Sequence, residues 1–400
     1  MRSLRDEEHE RIDDALVLFF AAPHSYTGED LVEFHLHGSP AIVREVLRAA
    51  MAAGSRMANA GEFTQRAFLN GKLDLHAASA VADIIDAESR SAARAALANL
   101  GGTLVGEVRA LRERLSRVLE ELAASIDYPD EVAEPERGAV AREITAVGVT
   151  LAAMQRDGER GRLLREGVSV AIIGPPNAGK SSLLNALLGE ERAIVSEIPG
   201  TTRDTIEERV LIDGVPLRII DTAGIRDHAD RIEAIGIERA RRASEQAEVL
   251  LVVLDGSEPL SDSGQSILAA TAHRPRVVFA NKADRGNVLE LALDDCVAVV
   301  GSVRDATTLE ALRRAIARVA WGGERIDVAR PHISAAHEFS AMAQARRNVD
   351  EVEAVLQSGE PLDMLAPALH RAVAALGKIS GDDAVEELLD GVFARFCIGK

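Results

Sequence analysis

Three hydrophobic patterns follow one another along the chain. Short apolar runs bounded by turn residues, at Ile12–Phe20 and Asp30–Leu36, predict strands, and the spacing of Ala41–Ala53 predicts a helix. Alanine-rich segments from His76 to about Asp127, and again from His332 to about Phe396, have the spacing of long amphipathic helices and few strand-forming residues. We therefore expect a mixed α+β region, followed by helices that flank a central segment of another kind.

The central segment alternates apolar strands with helices. Its predicted strands are Val168–Ile173, Ile206–Ile212, Val215–Ile220 and Val277–Ala280, and its first predicted helix is Ser182–Leu188. The second and third strands are joined by Asp213-Gly214, which favours a type I′ hairpin turn. This order predicts an α/β domain with a mostly parallel sheet.

A phosphate-binding loop occupies the first strand–helix junction of this domain. Residues Gly174–Ser181 read Gly-Pro-Pro-Asn-Ala-Gly-Lys-Ser, which fits the pattern G-x-x-x-x-G-K-[ST]. The glycines let the backbone wrap an anion, and the loop N–H groups with the helix N-terminus supply positive potential. Lys180 is placed to reach the terminal phosphates of a nucleotide, and the Ser181 hydroxyl to hold Mg²⁺. A glycine-rich turn without a ligand is the alternative, and the flanking strand and helix favour the nucleotide.

The base of the nucleotide is indicated by Asn281-Lys282-Ala283-Asp284, which follows the predicted strand Val277–Ala280. Guanine presents two adjacent hydrogen-bond donors, and the Asp284 carboxylate only accepts hydrogen bonds. A mismatched polar group in such a site is costly. We therefore expect GTP to be preferred to ATP.

Two segments between these motifs are suited to contact the third phosphate. Gly200–Asp204 contains Thr202, whose hydroxyl can bind Mg²⁺. Asp221-Thr222-Ala223-Gly224 offers a carboxylate to the shell of the metal and a glycine N–H to the γ-phosphate. The order of the motifs along the chain is that of a GTPase.

The residue that orients the attacking water in Ras-like enzymes is missing. Ile225 occupies the position of the usual glutamine. Glu233 is a candidate replacement, although a solvated glutamate at a helix start is the commoner case. No arginine finger stands out either, because Arg203 and Arg226 can equally be surface ion-pair residues.

Composition narrows the class of protein. The 400 residues suggest about two to three domains, and 47% of them are hydrophobic, which is ample for their cores. The formal net charge of −18 argues against broad, nonspecific nucleic-acid binding and leaves room for local basic patches. The two cysteines, Cys296 and Cys397, are too few for a disulfide framework or a metal site, and no signal-like or membrane-length apolar segment occurs. We therefore expect a cytoplasmic protein.

The helical segments on the two flanks predict one helical body into which the α/β domain is inserted. We expect linkers at Arg156–Gly161 and Gly322–Arg325, because both contain glycine and charged residues.

Three segments outside the nucleotide motifs resemble a known family. They are Phe19–Asp30 (F-F-A-A-P-H-S-Y-T-G-E-D), Gly61–Asp74 (G-E-F-T-Q-R-A-F-L-N-G-K-L-D) and Cys397–Lys400 (C-I-G-K). Together with the inserted GTPase motifs, they closely resemble the MnmE, or TrmE, family of tRNA uridine-modification GTPases, over nearly the whole chain. The alternative is a GTPase switch or scaffold in ribosome assembly, which would not need the first and last of these segments.

The resemblance implies a reaction and its partners. Family members act with a flavin-dependent partner, MnmG, to add a carboxymethylaminomethyl or aminomethyl group to C5 of the wobble uridine, U34, in certain tRNAs. The resemblance also implies a homodimer, a heterotetramer with the partner, and GTPase domains that meet around K⁺, which replaces an arginine finger. The implied K⁺ ligands are Asn177, Ser196, Ile198 and Thr201, and Glu233 matches the family glutamate that positions the hydrolytic water.

The expected GTP site combines the phosphate loop, the two γ-phosphate segments, the guanine motif and a later loop. Its members are Asn177, Ala178, Gly179, Lys180, Ser181, Ser182, Ser196, Thr201, Thr202, Asp221, Thr222, Ala223, Gly224, Asn281, Lys282, Asp284, Ser302, Val303 and Arg304. We expect Ser181 and Thr202 to bind Mg²⁺, and Glu233, Lys180 and Gly224 to act in catalysis.

The resemblance further implies a site for 5-formyl- or methylene-tetrahydrofolate. Its residues here would be Glu33, Lys72 and Lys400, and Cys397 would be either a functional thiol near this site or a half-buried structural one. Family chains also carry a segment before the position of Met1 that contributes to folate binding and dimerisation. We therefore expect these 400 residues to bind folate weakly and to dimerise poorly through their N-terminal part.

The expected fold class is multidomain, α/β plus all-α, with a P-loop GTPase domain inserted into a helical domain. The expected domains are a partial N-terminal tetrahydrofolate-binding and dimerisation domain at 1–70, the first half of the helical domain at 71–164, the GTPase domain at 165–323 and the second helical half at 324–400.

Overall fold

The computed structural model describes residues 1–87, 89–190, 208–212, 214–220, 247–289, 296–323, 327–383, 386–394 and 396. The chain divides into two compact units. One unit contains Met1–Ala82, Asn99–Gln155 and Ile333–Lys400, and the other contains Asp83–Ala98 and Arg156–His332. Each unit is therefore built from segments that are distant in the sequence.

The described secondary structure contains both strands and helices. The strands are β1 (Arg2–Arg5), β2 (Arg11–Phe20), β3 (Leu31–His35), β4 (Val168–Ile173), β5 (Glu208–Ile212), β6 (Val215–Ile220), β7 (Val249–Asp255), β8 (Arg276–Asn281) and β9 (Val297–Val300). The helices are α1 (Pro40–Ala52), α2 (Glu62–Leu69), α3 (Leu75–Ile85), α4 (Arg90–Asn99), α5 (Thr103–Asp127), α6 (Arg137–Glu166), α7 (Lys180–Glu190), α8 (Asp262–Ala270), α9 (Ala306–Trp321), α10 (Ala336–Ser358), α11 (Ala366–Ser380) and α12 (Glu386–Phe393).

The first unit begins with a small antiparallel sheet in which β2 pairs with both β1 and β3. The predicted strands Ile12–Phe20 and Asp30–Leu36 and the predicted helix Ala41–Ala53 are confirmed to within one residue at each end.

A helical core forms the rest of the first unit. On α5, buried Leu104, Val108, Leu111, Leu115, Val118 and Leu122 recur at helical spacing along one face. They share one apolar cluster with buried residues of α6, α10 and α11. The long amphipathic helices expected on both flanks are therefore confirmed, because only their combined apolar faces make a core.

The second unit contains a six-stranded sheet of order β5-β6-β4-β7-β8-β9. β5 runs antiparallel to β6, and every other neighbouring pair is parallel. Every residue of β4 and β8 is buried, which explains why these strands read as continuous apolar runs. One face packs against α7 and α9 and the other against α8. The expected α/β domain with a mostly parallel sheet is confirmed.

The order of strands places a crevice at the carboxyl end of β4. After β4 the chain proceeds to β6 on one side of it and then to β7 on the other side. In open α/β sheets, ligands bind outside the carboxyl ends of the strands at such a reversal. The phosphate loop, which follows β4, lies at this place.

The linker predicted at Arg156–Gly161 begins where one compact unit gives way to the other, between Gln155 and Arg156, but it is a continuous part of α6 and not a loop. A Cβ atom on Gly161 would lie 1.6 Å from Cδ2 of His332, so the glycine allows a close approach. Asp157 is also paired with Arg330, at 2.8 Å. The linker predicted at Gly322–Arg325 stays a prediction. Gly322 and Gly323, with φ angles of 79° and 71°, follow the end of α9, and the rest of that stretch lies outside the described residues. The second unit itself continues to His332.

The segment Asp83–Ala98 belongs to the same unit as the six-stranded sheet, whereas the expected boundaries place it in the helical domain. Its alanines lie close to the sheet: Ala95 is 3% exposed and belongs to the apolar cluster on one face of that sheet. The domain boundaries themselves stay predictions.

Candidate functional site

Two glycines of the phosphate loop are required by close backbone contacts. Gly174 has a φ angle of 153°, and a Cβ atom on it would lie 2.1 Å from the carbonyl oxygen of Val253 on β7. Gly179 has a φ angle of 100°, and its Cβ would lie 2.2 Å from Nδ2 of Asn281. The loop is therefore pressed against the ends of the two strands that follow β4 in the sheet, and no side chain fits at these positions.

Lys180 folds back over the loop. Its Nζ donates to the carbonyl oxygens of Gly174, at 2.8 Å, and Pro175, at 2.7 Å. Burial lowers the pKa of Lys180. Lys180 bonds here to two neutral carbonyl groups. A phosphate at the N-terminus of α7 would give its ammonium group a negatively charged partner, so the arrangement suits an anion.

The remaining loop residues differ in exposure. Ala178 is fully buried, whereas Asn177, Ser181 and Ser182 are exposed at the start of α7. Asn177 has a φ angle of 61°, a left-handed conformation that asparagine tolerates better than most residues. The side chains expected to bind ions are thus on the accessible side of the loop.

Asn281 joins the phosphate loop to the loop after β9. It is the last residue of β8 and is 1% exposed. Its Nδ2 donates to the carbonyl oxygen of Ala178 at 2.9 Å, and its Oδ1 accepts from the N–H of Val303 at 3.1 Å. Both halves of the amide are used inside the protein, so this residue positions the site.

Lys282 adopts a left-handed conformation, with a φ angle of 66°, and its Nζ donates to Oδ2 of Asp255 at 2.6 Å. Asp255 ends β7, and its Oδ1 accepts from the N–H and hydroxyl of Ser257 at 3.0 and 2.6 Å. Burial raises the pKa of Asp255, but the hydrogen bonds from Lys282 and Ser257 outweigh it and hold this pKa below its usual value. Asp255 was not among the site residues predicted from the sequence. Its position at the end of the apolar run Val249–Leu254, where a buried strand delivers a carboxylate, could have indicated it.

Asp284 lies in a 3₁₀ turn, Ala283–Arg285, with 39% of its side chain exposed. The N–H of Ala283 donates to the carbonyl oxygen of Gly301 at 3.0 Å, which ties this turn to the loop after β9. Arg304 of that loop places Nη1 3.9 Å from Oδ2 of Asp284. The Asp284 carboxylate is therefore free to accept hydrogen bonds from a base.

Ser302 is buried, and its hydroxyl accepts from the N–H of Arg304 at 3.3 Å. The structure thus brings Ala178, Gly179, Asn281, Asp284, Ser302, Val303 and Arg304 to one edge of the sheet, with Lys180 above the phosphate loop.

Several expected site residues lie outside the described part of the chain. They are Ser196, Ile198, Thr201, Thr202, Asp221, Thr222, Ala223, Gly224, Glu233, Cys397 and Lys400, together with Arg203, Ile225 and Arg226. Their roles stay predictions.

Glu33 and Lys72, expected at a folate, have separate partners. Oε2 of Glu33 is 3.2 Å from Nε2 of His35 on β3, and Nζ of Lys72 donates to the carbonyl oxygen of Pro23 at 3.0 Å. Both side chains belong to the first unit, and their folate role stays a prediction.

A pocket of about 280 Å³ in the first unit was also missed in the sequence. Glu62 lies in its wall and accepts from Arg56 at 2.6 Å and from Arg66 at 2.7 Å, and these arginines hold the pKa of Glu62 far below its usual value. Arg66 also donates to Glu29 at 2.7 Å. Each guanidinium is thus paired with an acid of the same wall.

The mostly parallel sheet, the phosphate loop at its reversal point and the guanine-type motif after β8 define a P-loop GTPase. Comparison with known proteins narrows this class. The family model described as the MnmE helical domain matches residues 75–397, and the model described as the GTP-binding protein TrmE N-terminus matches residues 1–72. The chain therefore belongs to the MnmE, or TrmE, family.

Individual relatives agree with this assignment. The tRNA modification GTPase MnmE of Synechococcus elongatus is 41% identical over 99% of this chain and 87% of its own length. The protein of the same name from Chloroflexus aurantiacus is 43% identical over 98% of this chain and 87% of its own length. The solved FeoB G-domain from Methanococcus jannaschii is 22% identical over 38% of this chain and 97% of that chain, with a TM-score of 0.28, which is too low to bear on the assignment.

Among the described residues, no helix combines the length and apolar character that a membrane span requires.

Proposed function

We propose that this chain hydrolyses GTP as part of the modification of wobble uridines in tRNA. The bridge made by Asn281, which accepts from Val303 and donates to Ala178, carries the proposal, because it joins a phosphate loop to a guanine motif. The second support is that the relatives matched over nearly the whole chain are named tRNA modification GTPases.

The phosphates of GTP would bind at the N-terminus of α7. The N–H groups of the loop face the anion, and Lys180 exchanges its bonds to Gly174 and Pro175 for bonds to the terminal phosphates. Asp284 accepts from the two donors of guanine, and the loop Ser302–Arg304 closes the side of the base. Because the contact of Asp284 with Arg304 is long, at 3.9 Å, its carboxylate can turn to the base at little cost.

The residues proposed for Mg²⁺ fit that ion. Ser181, Thr202 and Asp221 offer hydroxyl and carboxylate oxygens, which are the ligands that Mg²⁺ prefers. When bound, the ion would neutralise charge that develops on the transferred phosphoryl group. Gly224 would donate its N–H to the γ-phosphate.

A second cation, K⁺, is proposed in the place of an arginine finger. Asn177, Ser196, Ile198 and Thr201 would offer side-chain or main-chain oxygens, and the exposed, left-handed Asn177 is accessible to an ion. Glu233 would accept a hydrogen bond from the attacking water and orient it, which Ile225 cannot do.

The remaining proposals concern the assembly. A homodimer would act with an MnmG-like flavoprotein in a heterotetramer that binds tRNA in the cytoplasm and adds a carboxymethylaminomethyl or aminomethyl group at C5 of U34. Glu33, Lys72 and Lys400 would hold a tetrahydrofolate, with Cys397 nearby. The domains would span 1–70, 71–164, 165–323 and 324–400.

The test is a nucleoside profile of tRNA from cells that lack this protein. We expect the C5 modification of U34 to disappear, to return with the parent gene, and not to return with Lys180→Ala. Normal U34 with defective ribosome profiles would instead support a switch in ribosome assembly and would contradict the proposal.

A further inference from the structure

Helix α4 belongs to one unit, whereas the chain on both sides of it belongs to the other. Residues Asp83–Ala98 lie in the unit of the six-stranded sheet. The residues before them, Met1–Ala82, and after them, Asn99–Gln155, lie in the first unit. A displacement of α4 would therefore also move the chain segments that precede and follow it, both of which belong to the first unit.

The N-terminus of α4 holds the turn of the β5–β6 hairpin. The hydroxyl of Ser89 donates to the carbonyl oxygen of Gly214 at 3.2 Å and accepts from the N–H of Ala92 at 3.0 Å. One side chain thus caps α4 and binds the hairpin. Gly214 has a φ angle of 82°, and a Cβ atom on it would lie 2.2 Å from Oγ of Ser91, so the turn is pressed against the helix.

Small side chains along α4 allow the same close approach further on. Ala92, Ala95 and Ala96 are each at most 8% exposed. Ala95 shares an apolar cluster with residues on both strands of the hairpin, which are Val210, Ile212, Val215 and Leu217. The hydrogen bond of Ser89 is therefore accompanied, on the same helix, by alanines that are buried in the unit of the hairpin.

A second tie lies at the other end of this segment. Asp83, which is 6% exposed, has Oδ1 3.6 Å from Nη1 of Arg165, close to the end of α6 and the start of β4. The segment is thus fixed to the sheet at the hairpin and near the strand that leads to the phosphate loop.

The hairpin lies between the two segments expected to contact the γ-phosphate. The chain enters β5 from Gly200–Asp204 and leaves β6 at Asp221-Thr222-Ala223-Gly224. Within the hairpin, β5 and β6 are paired from Glu208↔Ile219 to Ile212↔Val215, so the two strands move as one piece. A nucleotide-dependent shift of either segment would therefore reach the turn at Gly214.

We propose that α4 transmits the nucleotide state from the β5–β6 hairpin to the helical unit, with Ser89 as the positioning residue. The inference rests on the proposed GTPase function, since it needs two nucleotide states. Physically, Ser89 and Ser91 hold the turn of the hairpin against the N-terminus of α4, so a ligand that favours one hairpin position also favours one position of α4.

The test separates capping from coupling. Ser89→Asp keeps an oxygen that accepts from the N–H of Ala92, but an ionised carboxylate cannot donate to Gly214. Ser89→Thr keeps both functions and serves as the matched control. Amide hydrogen exchange of α4 and α5 is measured in the full chain with GDP and with a non-hydrolysable GTP analogue, and nucleotide affinity is measured for each variant.

In the parent and in Ser89→Thr, we expect exchange in α4 and α5 to differ between the two nucleotides by about fivefold or more. Ser89→Asp should lose this difference while binding both nucleotides with unchanged affinity. Exchange that is identical in the two states of a parent that binds GTP would overturn the inference and leave the GTPase function standing, and so would a Ser89→Asp variant that keeps the full difference. Absence of GTP binding in the parent would overturn both.

Discussion

Asn281 and Asp284 are three positions apart in one motif, but their surroundings differ. Asn281 is buried and bonded on both sides of its amide, to Ala178 and Val303. Asp284 is partly exposed, and within the described part of the chain its ion-pair contact is the long one with Arg304. Loss of Asn281 would therefore leave two main-chain groups without partners, at about 1–3 kcal/mol each, whereas a change at Asp284 affects the ligand.

We expect Asp284→Asn to shift the nucleotide preference from GTP to xanthosine triphosphate. Xanthine carries an oxygen where guanine carries its exocyclic amine, and an amide can donate to that oxygen. Loss of the charged acceptor should weaken GTP binding by roughly 10- to 150-fold, equivalent to about 1.5–3 kcal/mol. Calorimetric titration with both nucleotides measures the exchange, and unchanged thermal unfolding is the control for the fold. Equal binding of GTP and ATP by the parent would contradict the base assignment.

Asn177 gives a test of the proposed K⁺ site without backbone strain. Asn177→Gly removes the amide oxygen and keeps a residue that accepts the φ angle of 61°. We expect hydrolysis by the parent to rise when K⁺ replaces Na⁺, and this response to disappear in Asn177→Gly while GTP affinity is retained, because the loop N–H groups and Lys180 remain. Initial rates in matched K⁺ and Na⁺ buffers measure it. A parent that hydrolyses GTP equally fast in both salts would refute the cation proposal.

At the scale of elements, the sequence predicted those whose local pattern is unambiguous. The runs that became β4 and β8 are apolar throughout because both faces of the sheet are covered, and the leucines and valines of α5 repeat along one helical face. Gly161 shows where this reasoning fails. A glycine beside charged residues is typical of a linker, but here it makes room for His332, which is distant in the sequence. The contact of α4 with the hairpin could not be predicted either, because the two are distant in the sequence and a run of alanines does not indicate which element it packs against.

We expect Gly161→Ala to destabilise the second unit. A new Cβ 1.6 Å from the ring of His332 must displace it, and overpacking of this kind costs about 1–3 kcal/mol, more than alanine gains in a helix. The matched control is Gly189→Ala on α7, which meets no atom within 4 Å and should stabilise the unit by about 0.5–1 kcal/mol. Urea unfolding followed by the fluorescence of Trp321, the single tryptophan of the chain, reports on this unit. Equal midpoints for the two variants would show that Gly161 is not packed as described.

At the scale of the whole molecule, the first unit is built from segments that precede and follow the GTPase segment in the sequence, and a buried ion pair joins two of these segments. Nδ1 of His76 on α3 lies 2.7 Å from Oε1 of Glu338 on α10, and both side chains are fully buried. Oε2 of Glu338 accepts from the N–H groups of Ser334 and Ala335, at 2.8 and 3.0 Å, and so caps α10. Sequence patterns cannot pair two residues on opposite sides of the insertion, and this contact was not predicted.

Removal of one partner of this pair should be costly. Glu338→Gln takes away the charge opposite His76 and weakens the cap of α10, and breaking a buried pair in this way costs about 3–5 kcal/mol. The control is Glu351→Gln on the same helix, whose partner Arg371 is 2.6 Å away and whose side chain is 55% exposed, so that it should cost about 1 kcal/mol or less. Hydrogen exchange of α10 amides measures the local free energy of opening for both variants. Equal losses in the two variants would contradict the importance of the buried pair.

The same pair predicts how this stability depends on pH. Burial raises the pKa of Glu338, but His76 and the N–H groups of the cap lower it more, from 4.5 to about 2. Because the pKa of Glu338 is depressed in the folded state, its stabilising contribution is complete above the pKa of the unfolded chain, about 4.5, and is lost as pH falls from about 4.5 toward 2. The full contribution is on the order of 3 kcal/mol. Glu338→Gln has no such proton to bind. The difference in α10 opening free energy between the parent and Glu338→Gln should therefore be constant between about pH 5 and 6 and shrink as pH is lowered to about 3. A difference that stays constant over the whole range would show that Glu338 is not held as a carboxylate.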